Sequence, residues 1–84
     1  MSRKHEKTRD AIFSDPVRAN IRWDDVAALL VWLGATETLG GGSMVGYTLN
    51  GVRAVLHKPH PGNELTKPGV RAVREFLANA GEAP

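Results

Sequence analysis

Ser43-Met44-Val45-Gly46-Tyr47-Thr48-Leu49-Asn50-Gly51-Val52-Arg53-Ala54-Val55-Leu56-His57 is the stretch whose reading decides the fold. Two alternating runs flank Asn50-Gly51, and that dipeptide suits a type I′ turn because both central positions need positive φ. A two-residue loop fixes the register: Leu49 opposes Val52, Thr48 opposes Arg53, Tyr47 opposes Ala54, Gly46 opposes Val55, Val45 opposes Leu56 and Met44 opposes His57. Side chains alternate along a strand, so Val45, Tyr47, Leu49, Val52, Ala54 and Leu56 share one face, the core face. Met44, Gly46, Thr48, Arg53, Val55 and His57 share the other, which we read as an open working face.

Outward from the hairpin, Ala35–Leu39 reads as a third strand, joined to it through Gly40-Gly41-Gly42, which reads as a flexible connection. Before it, Trp23, Val26, Leu29, Leu30 and Leu33 recur at spacings of three and four and predict a helix over 23–33. Asp24 and Asp25 suit its positive N-terminal end, and Gly34 suits its C-terminus. After the hairpin, Pro59 and Pro61 end the sheet. A last helix begins near Thr66 with Pro68 in its first turn. It buries Val70, Val73, Phe76 or Leu77, and Ala80, and Gly81 closes it. A further helix over 2–13, capped by Ser2 and stopped at Asp15-Pro16, leads the chain. The order predicts an α+β fold, a three-stranded antiparallel sheet with helices on one face plus an N-terminal helical extension. We read one domain over 1–84, with the extension over 1–20 and the core over 21–82.

Composition excludes several classes. The chain of 84 residues has no cysteine, which removes disulfides, thiol nucleophiles and Cys-zinc sites and suits a reducing cytoplasm. The charged start, Ser2-Arg3-Lys4-His5-Glu6, has no apolar segment behind it, so no secretory signal is expected, and no run is long enough to span a membrane. Net charge is only +2, but Lys and Arg outnumber acids six to three over 1–22 and five to three over 50–84, while 23–49 holds three acids and no Lys or Arg. Basic ends around an acidic middle permit a polyanionic partner.

The chemistry-bearing residues lie late in the chain. His57 stands on the open face across from Met44, with Arg53 two positions along that face. An imidazole moves protons near neutrality, and a guanidinium holds phosphate through paired hydrogen bonds. Against this, a histidine at a strand end is commonly a solvated residue. His57-Lys58-Pro59-His60 places a second histidine three residues on, but proline keeps the chain extended and we read no metal site there. Lys67, Arg71 and Arg74 share one helix face by spacing. With Arg53 and Lys58 they form a candidate RNA-binding strip, although a charged outer face is ordinary for a surface helix. Gly40-Gly41-Gly42-Ser43 lacks the lysine of a P-loop, and His5-Glu6 lacks the second histidine of a metalloprotease helix.

The stretch from Trp23 to Gly81 resembles the HicA toxin family. The resemblance is carried by Trp32-Leu33-Gly34-Ala35, Gly41-Gly42-Ser43 at a strand entrance, the hairpin, His60-Pro61-Gly62-Asn63-Glu64-Leu65, and Gly69-Val70-Arg71-Ala72-Val73-Arg74 with Asn79-Ala80-Gly81. It covers about three-quarters of the chain, and its specificity lies in order and spacing. It implies a double-stranded-RNA-binding-like α-β-β-β-α fold and a toxin of a type II toxin-antitoxin system that cleaves mRNA. That cleavage needs neither metal nor cofactor and uses a histidine general acid/base. The implied protein partner is a HicB-type antitoxin, and any oligomer is expected to form through it.

One position departs from the pattern. The family reads Gly-Ser-His at the strand entrance, and here Gly42-Ser43 is followed by Met44, which transfers no proton. The hairpin register offers a replacement, since His57 lies across from Met44 on the same face. His57 is therefore the expected general acid or base, His60 the second candidate, and Arg53 with Lys58 the stabilisers of phosphorane charge. The rival expectations are an RNA-binding module of the same fold without cutting activity, and a protein-interaction adaptor that accepts a partner strand at Ala35–Leu39 or Val52–His57.

Overall fold

A computed structural model describes residues 3–59 and 62–84. In chain order it holds α1 (Arg3–Ile12), β1 (Ile21–Arg22), α2 (Trp23–Trp32), β2 (Thr36–Leu39), β3 (Met44–Leu49), β4 (Val52–His57), β5 (Glu64–Leu65) and α3 (Lys67–Asn79). The fold is α+β with three helices and a three-stranded antiparallel sheet of order β2-β3-β4. The predicted cap of the first helix, Ser2, lies outside the described residues.

The hairpin follows the register read from Asn50-Gly51 at all six pairs, from Leu49↔Val52 to Met44↔His57. Asn50 and Gly51 both take positive φ, 52° and 81°, as a type I′ turn requires. The core face holds the buried Tyr47, Leu49 and Leu56, packed with Val26, Leu29 and Leu30 of α2 and Val70, Val73, Phe76 and Leu77 of α3. Both Phe76 and Leu77 are buried, because the stripe of α3 is wide enough to include them. Ile12 of α1 is fully buried in the same cluster, so the leading helix packs on the domain.

Three features differ from the sequence expectation. The glycines between β2 and β3 form a closed turn and not a loose link. The Gly40 N–H donates to the Met44 carbonyl and the Met44 N–H to the Gly41 carbonyl, both at 3.2 Å. Gly42 takes φ +63°, and a Cβ on Gly40 would stand 2.7 Å from the Met44 carbonyl oxygen. Second, β1 and β5 form a small antiparallel sheet, Ile21↔Leu65 and Arg22↔Glu64, which no periodicity announced because each strand is two residues long. Third, α2 is capped from a distance. The Asp24 N–H donates to Asn63 Oδ1 at 3.2 Å, and Asn63 Nδ2 donates to Asp24 Oδ2 at 2.8 Å. The Trp23 N–H donates to the Asn63 carbonyl at 2.7 Å. Asn63 thus satisfies N–H groups that a helix start leaves open.

Among the described residues, no helix is long and apolar enough to cross a membrane.

Candidate functional site

The open face of the sheet is laid out by the ladder. Lys58 N–H donates to the Ser43 carbonyl at 2.7 Å, so residues 43 and 58 occupy a hydrogen-bonded position. Ladder positions alternate, which makes Met44↔His57, Gly46↔Val55 and Thr48↔Arg53 the non-hydrogen-bonded pairs, whose Cα atoms approach to about 4.5 Å and whose side chains stand closest. The bonds from Met44 to Gly40 and Gly41 agree, since they point away from β4. Met44 and His57 are both exposed. The imidazole therefore stands beside the thioether at the glycine-turn end of the sheet, as the register predicted.

Arg53 is exposed on the same face, but Val55 separates it from His57. Four residues of strand span about 13 Å, so Arg53 is placed for a neighbouring phosphate and not for a group held at His57. Lys58 adjoins His57 in the chain at the free edge of the sheet, and its side chain leaves the strand on the opposite face. It lines a shallow depression with Gly42, Ser43 and Pro59.

The basic strip expected on α3 is only partly present. Lys67 and Arg71 are exposed. Arg74 is committed elsewhere: its Nε donates to the Ile12 carbonyl at 3.0 Å, its Nη2 donates to the Ser14 carbonyl, and its guanidinium lies 5.7 Å from the Phe13 ring centroid. It closes the carbonyl end of α1, a role open to any arginine near a helix C-terminus. Lys67 lines a depression with Arg22 and Asn63, apart from the face that carries Arg53. The five expected cations thus reach different surfaces. His60 lies outside the described residues.

Sequence reasoning missed the cavity beside His57. A groove of about 340 Å³ runs between the second half of β4 and the first turns of α3. Its floor includes the buried Trp23, Leu65 and Val73, and Ala72, His57 and Lys58 also line it. Its far wall depends on β5, whose two residues carried no strand signal.

The Tyr47 phenol is perturbed by its surroundings. Burial, then the 2.9 Å hydrogen bond its hydroxyl gives to Glu37 Oε1 and the Glu37 charge, push the phenol well above its ordinary range. That favours the neutral phenol as a structural donor under the helices. Among the described residues, no group of three His, Asp or Glu side chains is placed to hold a metal ion. No family model, curated protein or solved structure matches the chain.

Proposed function

We propose that the chain is an RNA-cleaving toxin of the HicA type, with a double-stranded-RNA-binding-like core, in which His57 moves the proton. The observation that carries this reading is the closely spaced, exposed Met44↔His57 pair. It supports a histidine shifted across one rung of the ladder from the position where the resemblance leads one to expect it. The resemblance of residues 23–81 supplies the reaction.

In that reaction the His57 imidazole accepts the proton of a ribose 2′-hydroxyl. The 2′-oxygen forms a bond to the adjacent phosphorus, the bond to the 5′-oxygen breaks, and a proton returns to that oxygen from imidazolium or water. The products are a 2′,3′-cyclic phosphate and a 5′-hydroxyl. Lys58, its long side chain reaching round the free edge of β4, neutralises charge on the phosphorane, and Arg53 holds the neighbouring phosphate. No step calls for a metal. The expected protein partner is a HicB-type antitoxin that covers this face.

The test is cleavage of a single-stranded RNA in the presence of EDTA. His57→Ala is expected to slow cleavage by about 100-fold or more. Adding Met44→His to that variant is expected to restore part of the rate, because the two positions share one space above the sheet. Undiminished cutting by His57→Ala sinks the assignment of the base. Binding without cleavage by the parent chain favours the non-cutting module, the reading that Met44 itself suggests.

A further inference from the structure

We infer that the groove between β4 and α3 is a nucleobase subsite, holding the base of a nucleotide next to the phosphate at His57; this rests on the RNA-cleaving reading above. Three observations lead there. The groove is a concave surface lined by His57 and Lys58 over an apolar floor, so a phosphate held at His57 delivers its own nucleotide to the cavity mouth. At about 340 Å³ it stands at the small end of ligand pockets, roughly 300–1,000 Å³, which suits one flat ring system. Its polar groups come from backbone. β4 is the edge of the sheet, and Val55 and His57 sit at non-hydrogen-bonded positions toward β3, so their N–H and C=O groups point out along the free edge. Among the described residues no hydrogen bond reaches those backbone groups. A base carries donors and acceptors along its rim and apolar faces above and below. It can set its rim against the β4 edge and its face on Trp23 and Leu65.

Ala72 is the residue that keeps the groove open. It is exposed on α3 and lines the cavity, so a larger side chain there fills the space without entering the core. Ala78 is exposed on the same helix and does not line the cavity, which makes it the matched control.

The experiment uses the whole chain and a fluorescent 2′-O-methyl RNA octamer, which cannot be cut through its 2′-oxygen, together with octamers carrying one abasic nucleotide at each position in turn. Removing one particular base is expected to weaken binding by about tenfold, the usual scale for one stacked base. Ala72→Leu is expected to weaken the intact octamer by a similar factor and to be indifferent to the loss of that same base. Ala78→Leu is expected to bind as the parent does. The subsite is overturned if Ala72→Leu binds the intact octamer as well as the parent, or if its loss multiplies with every abasic loss, since a shared contact must be non-additive. If the parent neither holds the octamer nor cuts unmodified RNA, the nuclease reading falls with it. If the parent cuts RNA while all abasic octamers bind equally, the subsite alone falls.

Discussion

The hairpin β3–β4 and residues 63–66 build opposite walls of the same groove, and they are held by different means. The hairpin is closed by its own turn and ladder, and every contact that sets its register is local. The later residues are placed by partners distant in sequence. Leu65 is placed by pairing with Ile21, and Asn63 by its exchange with Trp23 and Asp24 at the start of α2. One wall therefore forms from neighbours in sequence, while the other waits for α2 to arrive. Loop closure between distant residues costs entropy that only tertiary packing offsets, so the second wall is the one that opens first.

The largest expected effect breaks the distant wall. Leu65→Ala removes a side chain buried in the core and the inner residue of β5, and is expected to cost about 2–5 kcal/mol in urea unfolding. In hydrogen exchange the amides of Asn20 and Trp23, which donate into this segment, should lose protection beyond the global change, while the hairpin amides follow the global change alone. Equal extra loss in both regions contradicts the contrast between the two walls. A smaller effect is expected in the local wall. Gly40→Ala places a Cβ against the Met44 carbonyl, where backbone has to shift, at roughly 1–3 kcal/mol. Asn63→Ala is expected to cost about 1 kcal/mol, the usual value of a helix cap, although this cap is supplied by a residue far from the helix in sequence.

The smallest effect concerns pH. The Tyr47 phenol is held above its ordinary value of 10, so its contribution is complete below pH 10 and is lost as pH rises beyond it. Urea midpoints should therefore fall from pH 10 upward in the parent. Tyr47→Phe should show a shallower fall over that range, and an equally steep one excludes Tyr47 as the source.

What the sequence disclosed follows the same division. Asn50-Gly51 gave the whole β3–β4 register, because turn chemistry and side-chain alternation act over a few residues. The stripes of α2 and α3 were legible for the same reason. Arg74 was not, since spacing alone places it with Lys67 and Arg71 and cannot show the Ile12 and Ser14 carbonyls waiting within reach. Gly40-Gly41-Gly42 read as loose because composition reports freedom, whereas the turn is closed by a partner at Met44. The pairing of Met44 with His57 could be read from the sequence. The groove beside it could not, because its floor joins Trp23, Leu65 and Val73 from three separate elements.

Asn50 has a consequence for anyone who modifies this chain. Besides forming the turn, its Nδ2 donates to the Ala80 carbonyl at 2.8 Å and to Glu82 Oε2 at 3.1 Å. The tip of the sheet is thereby tethered to the tail that follows α3. Trimming the chain after Asn79, or grafting an affinity tag directly onto that residue, removes the tether and loosens the far end of the sheet. Additions placed beyond Pro84 leave the knot tied.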